Sequence, residues 1–201
     1  MKNNILLIIL FLQISCNKKE KEKFGDEWKT IVVNYEIKNN INFKKFNDEK
    51  EFSFLFDNAT LQKKTNNIIF LQDEKIDLKD TLEKNDMFLR NITCAANFYN
   101  SDTLSIHVMN SNGYTGNGFK ISVFKKKYKV TYSSFSDAGP TYQNSSLKFI
   151  FSKLILNKKT YKKNDSIFGY VEFKCTDEKT YLKPVEYYAK GYFKTRIEKI
   201  K

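Results

Sequence analysis

Gly118-Phe119-Lys120-Ile121-Ser122-Val123-Phe124-Lys125-Lys126-Lys127-Tyr128-Lys129-Val130-Thr131-Tyr132 carries the pattern that decides the fold. Phe119, Ile121 and Val123 alternate with Lys120 and Ser122, and Tyr128, Val130 and Tyr132 alternate with Lys129 and Thr131. A period of two puts every second side chain on one face of a strand, so each run predicts a half-buried strand. Lys125-Lys126-Lys127 between them predicts a hairpin loop, where charge stays in water.

The theme recurs on both sides of this hairpin. Thr30 to Ile37, Glu51 to Phe56 and Asn67 to Leu71 read as strands on the N-terminal side. On the C-terminal side Leu147, Phe149 and Phe151 share a face, Leu154 and Leu156 follow, and Ile167, Val171 and Phe173 mark another strand. Asn157 to Asp165 is a polar connection. Beyond Pro184, Ala189, Gly191, Phe193, Thr195 and Ile197 alternate with Lys190, Lys194 and Arg196, a half-buried closing strand. Only Asp73 to Asn91 looks helical, for two or three turns. Strands separated by short polar turns predict an all-β fold, an antiparallel β-sandwich or barrel, in a single domain over residues 29–201 with at most one short helix.

Composition agrees with one packed domain. Of 201 residues, 41% are hydrophobic and 15% aromatic, with 18 Phe and 12 Tyr, enough volume to fill a core. Only 7 Gly and 2 Pro occur, which excludes collagen-like and Pro-rich chains. The net charge of +12 favours acidic partners such as an anionic glycan or lipid headgroups. It comes from lysine, however, and Arg90 and Arg196 are the only arginines, so no nucleic-acid partner is expected.

The N-terminus has a different grammar. Lys2 precedes an unbroken apolar run, Ile5 to Leu12. As a helix that run spans about 12 Å, too short for a hydrocarbon layer of about 30 Å, so residues 1–15 read as a signal peptide. Gln13-Ile14-Ser15-Cys16 follows at once, with a small residue before the cysteine and Gln13 where an aliphatic residue is usual. This stretch resembles the relaxed lipobox of bacterial lipoproteins, and the Asn- and Lys-rich chain behind it looks like those of Bacteroidota. The resemblance covers about the first twenty residues. It implies cleavage before Cys16, lipidation of the Cys16 sulfur, and attachment to a bacterial membrane of the cell envelope, the outer membrane above all. Asn17 to Lys23 is wholly polar, so residues 16–28 read as the lipidated cysteine and a charged tether. Surface-exported lipoproteins of the Bacteroidota type look different, with a block of acids next to the cysteine, and none follows Cys16, so the resemblance implies a periplasm-facing protein rather than a surface-exposed one.

With Cys16 lipidated, Cys94 and Cys175 remain as an even pair in an oxidising compartment. They fit either a disulfide or two buried free thiols. The single histidine, His107, lies in Leu104-Ser105-Ile106-His107-Val108, where alternation puts it on the polar face of a strand. A Cys94/His107 nucleophile pair lacks a visible orienting group. One histidine and scattered cysteines make a metal site improbable. Asn112 to Gly118 has three glycines around Tyr114 but neither the order nor the following helix of a dinucleotide fingerprint, so it reads as a loop, open to use as a binding loop.

No catalytic residue and no cofactor is therefore expected. The favoured function is a non-catalytic binding or accessory module of the envelope. Its partner is an envelope protein or anionic glycan, met through tyrosines such as Tyr187, Tyr188 and Tyr192 beside lysines. The alternative is a β-barrel that carries an apolar small molecule in its interior.

Overall fold

A computed structural model of the protein describes residues 25–53, 60–72, 92–100, 102–144, 146–179 and 184–198. The signal region, Cys16, the tether as far as Phe24 and the expected helix at Asp73 to Asn91 lie outside the described residues. The strands are β1 (Lys29–Thr30), β2 (Val32–Val33), β3 (Lys50–Ser53), β4 (Thr60–Lys63), β5 (Ile69–Gln72), β6 (Ile92–Phe98) and β7 (Leu104–Ser111). They continue with β8 (Thr115–Phe124), β9 (Lys127–Ser136), β10 (Gly139–Asn144), β11 (Lys148–Leu156), β12 (Ser166–Asp177) and β13 (Val185–Glu198). Among the described residues one α-helix, α1 (Ile41–Asp48), follows a 3-10 turn at Tyr35–Asn39.

The hairpin read from Gly118 to Tyr132 is β8 and β9. Phe124 pairs with Lys127, so the loop is two residues, Lys125 and Lys126, and Lys127 belongs to the strand. Both loop residues have positive φ, 45° and 65°. This is the mirror-image turn whose twist matches the flanking strands, here built without the glycine or asparagine it prefers.

Among the described residues all but two short strands join one large sheet, in the order β1-β9-β8-β7-β6-β13-β12-β11-β2, with β10 on β9 and β5 on β13. The two ends of that order, β1 and β2, are separated in the chain by Ile31 alone. Ile31 donates its N–H to the Lys126 carbonyl at 3.0 Å, and Asn34 donates to the Leu156 carbonyl at 3.0 Å. The segment thus bridges β9 to β11 and brings the sheet close to a closed barrel. The expectation of a purely antiparallel sheet is corrected at two places: β2 pairs with β11 and β6 pairs with β13 in parallel, each over two residues. Both short pairings are seams where distant parts of the chain meet. Elsewhere the ladders are antiparallel.

Inward-facing residues fill the interior. The Phe119 ring lies 4.6 Å from that of Phe173, 5.0 Å from Phe70 and 5.7 Å from Tyr132 and Tyr187, centroid to centroid. Ile106, Leu154, Leu156, Ile167, Phe193 and Ile197 are fully buried around this cluster.

Two expectations change in detail. Leu147, Phe149 and Phe151 do not share a face, because β11 carries a bulge: Phe149 pairs with Cys175 but Phe151 with Lys174, leaving Ile150 as an extra residue. The bulge turns Phe151 outward, 43% exposed, and returns Leu154 and Leu156 to the interior. Thr30 to Ile37 is not one strand either. The Asn34 side chain accepts a hydrogen bond from the Glu36 N–H and starts the 3-10 turn, and Asn40 caps α1 through the Asn42 N–H. Residues Phe43 and Phe46, one turn apart, then lie on the outer face of the barrel against Ile155, Phe168, Tyr170 and Tyr192.

Candidate functional site

The 3-10 turn and α1 cover only part of the outer face of β11, β12 and β13, and the uncovered part forms a groove. Its floor is set by register. Ile155, Tyr170 and Tyr192 align across the three strands in one row, and Lys153, Glu172 and Lys190 in the next. Asn34, Glu36, Ile37, Asn39 and Asn40 make the wall. The cavity measures about 660 Å³ and opens to solvent.

Its electrostatics centre on Glu172. The Tyr170 hydroxyl donates to Glu172 Oε2 at 2.6 Å, and Lys190 Nζ lies 3.2 Å from Oε1. The Tyr170 hydrogen bond, with help from Lys190, holds the Glu172 carboxyl below its ordinary range. The same contact with Glu172 raises the Lys190 ammonium, and burial followed by Glu172 raises the Tyr170 phenol. Tyr170 and Tyr192 are 5.0 Å apart and tilted by 56°. The floor thus offers tyrosine rings and fixed charges, and the wall adds amide donors and acceptors. Such a mixture suits a polar ligand with flat apolar faces, or a protein surface.

Of the three tyrosines expected at a binding surface, one is there. Tyr192 borders the groove, half-buried. Tyr187 is a correction: it points into the barrel, 1% exposed, and stacks on Tyr132 with centroids 4.4 Å apart. Tyr188 faces outward but is covered, 7% exposed, with the Phe151 ring at its edge. Alternation requires this split, since Tyr187 shares its parity with Ala189 and Phe193. Sequence reasoning misses Tyr170 and Lys153, because only the register of β11 on β12 on β13 brings them beside Tyr192.

Cys94 and Cys175 are buried free thiols. The disulfide is the alternative the structure does not form. Cys94 sits on the inner face of β6 and Cys175 on that of β12, and burial pushes both thiols up, Cys175 to about 12. His107 pairs with Ala95 and Lys120 and faces away from the barrel interior, opposite to Cys94. It is half-buried rather than on open polar surface. Burial and, after it, Lys120 push its imidazole down to about 4, so it is neutral at physiological pH. In the glycine-rich stretch, Gly116 and Gly118 belong to β8, and the loop narrows to Asn112, Gly113 and Tyr114. Asn112 accepts from the N–H groups of Tyr114 and Thr115, Gly113 takes φ 95°, and Tyr114 stands out, 73% exposed. Among the described residues no three His, Cys, Asp or Glu side chains converge as metal ligands do. No helix among them is long and apolar enough to cross a membrane.

Comparison of the chain with protein-family models, with curated proteins and with solved structures yields no match.

Proposed function

We propose that the protein is a lipid-anchored binding module of a bacterial cell envelope, held through Cys16 to the outer membrane on its periplasmic side, and that the groove on β11, β12 and β13 is its ligand surface. The observation that carries the binding reading is the aligned pair of rows, Ile155-Tyr170-Tyr192, covered only in part by α1, and Lys153-Glu172-Lys190, both bordering an asparagine-rich wall. Ligand recognition of this kind needs few moving parts: ring faces for stacking, and lysines for an anionic glycan or the acidic rim of an envelope protein. Anchoring rests on the lipobox-like Gln13-Ile14-Ser15-Cys16, since two or three acyl chains at about 0.8 kcal/mol per buried CH₂ hold a protein firmly where one does not.

The competing reading, a carrier of an apolar small molecule, asks for an open interior. Phe119, Phe173, Tyr187 and Phe193 occupy that space and are each at most 2% exposed. A packed interior supports a surface site instead.

Two measurements test the proposal. Cys16→Ser should move the protein from the membrane to the soluble fraction and lower its mass by the acyl chains; unchanged fractionation and mass refute the anchor. Crosslinking and affinity purification from intact cells should recover a reproducible envelope component. Lys153→Glu, which reverses charge in the groove and leaves the packed cluster beneath α1 in place, should lose it. Equal recovery with the variant refutes the groove.

A further inference from the structure

A second cleft, of about 310 Å³, opens between β4, the start of β12 and the end of β13. Four cations line it: Lys63, Lys64, Lys194 and Arg196. On the outer face of the same sheet, lysines are matched by acids: Lys174 with Glu186 at 3.0 Å and Lys190 with Glu172 at 3.2 Å. In the cleft the matching stops. Lys64 pairs with Glu49, but Lys194 Nζ donates to Asn47 Oδ1 at 3.0 Å and Arg196 Nε to the Asn164 carbonyl at 3.2 Å. Among the described residues neither of these two, nor Lys63, has a carboxylate within ion-pair distance. Glu198 also lines the cleft, and Glu51 lies behind Thr65, so the acids are fewer than the cations.

The walls that hold these cations are fixed. Lys194 N–H donates to the Thr65 carbonyl at 2.7 Å, and Asn66 bridges to Phe193. The Thr65 hydroxyl donates to Glu51 Oε1 and accepts the Cys94 N–H at 2.9 Å. Ser166 and Thr195 add hydroxyls to the lining, and Asn47 and Gln62 add amides. Like charges gathered on a rigid frame repel one another, and an anion seated among them relieves that repulsion.

We propose that this cleft binds the phosphate group of a small polar molecule, with room for about one sugar-sized unit beside it. A carboxylate would satisfy one cation, whereas a phosphate dianion with three strong acceptor oxygens engages several. Lysine serves phosphate as a point charge and arginine as a planar fork. The volume stands at the lower end of small-molecule sites, which suits a ligand of that size. The site is separate from the tyrosine-lined groove, and its fate does not depend on that groove's function.

Phosphate on a soluble sugar and phosphate on a lipid share this chemistry, so the test carries both. Titration calorimetry on the full chain in a neutral detergent compares glucose 6-phosphate with glucose, and dihexanoyl phosphatidic acid with dihexanoyl phosphatidylcholine. At least one phosphate compound should bind saturably, at least tenfold more tightly than its counterpart, and the tighter of the two names the source. Inorganic phosphate should compete, and chloride at equal ionic strength should not. Lys63→Gln combined with Arg196→Gln should weaken binding at least tenfold with an unchanged thermal midpoint, and Arg196→Lys should restore part of it beside Lys63. Lys29→Gln, on β1, should bind as the parent does. Absence of saturable binding by both phosphate compounds overturns the proposal. So does an equal loss with Lys29→Gln, which would mean diffuse attraction to a basic surface.

Discussion

Phe193 lies flat against the backbone of Gly169, its paired residue on β12, so that a Cβ on Gly169 would stand 2.2 Å from the ring's Cζ. Phe193 is fully buried and has no room to retreat. The glycine is thus there for the ring, and the ring covers the backbone that glycine leaves bare. Gly169→Ala should destabilise by about 1–3 kcal/mol, the usual cost of overpacking a filled core. A urea titration that shows a lower midpoint at constant slope checks this.

The β8–β9 turn gives an effect of opposite sign. Lys125 and Lys126 hold φ of 45° and 65°, a region that costs a residue with a Cβ about 1–2 kcal/mol. The Lys126 carbonyl, which accepts from Ile31 N–H, ties the second position to the barrel closure, and glycine keeps that carbonyl. Lys126→Gly should stabilise by about 0.5–1 kcal/mol after the greater freedom of the unfolded chain is counted. For a chain of this size that is a rise of about 1–4 °C in the thermal midpoint.

The contrast between that hairpin and the groove explains what the sequence reveals. Phe119, Ile121, Val123, Tyr128, Val130 and Tyr132 declare their face through local alternation, which needs no knowledge of the rest of the chain. Ile155, Tyr170 and Tyr192 become neighbours only through the register of three strands, and no local pattern encodes register. Phe43 and Phe46 sit three apart in an Asn- and Lys-rich run that fits a loop as well as a helix; Asn40 as cap is the signal that separates them. Tyr187 is legible after all, since it shares its parity with Ala189 and Phe193. Cys16 is different in kind, because a lipobox is a processing signal and lies outside the described residues.

His107 supplies a pH dependence that one resonance can follow. Its folded pKa is pushed down to about 4 from an ordinary 6.5, so between those values the unfolded chain binds the proton and the folded chain does not. Stability should therefore fall as pH drops from about 6.5 to 4, and this contribution is gone below the folded value. For a half-buried side chain the loss is on the order of 2 kcal/mol. Glu51 works the other way, since burial raises its carboxyl and the folded state then takes up a proton above the ordinary glutamate range. His107→Gln should flatten the decline in this window. NMR of the only histidine should show a neutral ring at pH 6; a midpoint near 6.5 in the folded protein would contradict the burial.

Two single-residue deletions in β11 separate the bulge from the strand that carries it. Phe149 and Leu154 both point inward although they are five apart, and the extra Ile150, 62% exposed, makes that parity possible. Removing Ile150 leaves a regular ladder in which Phe149, Ser152 and Leu154 still face inward and Phe151 still faces out. Removing Ser152 also restores a regular ladder, but it drives Phe151 into the space of a serine. That space is where the Tyr128 hydroxyl donates to Ser152 Oγ at 2.9 Å, so the deletion overpacks the interior and strands a buried donor. Both variants lose one residue from the same strand, yet deletion of Ser152 should cost about 2–4 kcal/mol more than deletion of Ile150. Urea midpoints compared side by side read the difference, and equal losses would mean that the bulge does not set which face Phe151 takes.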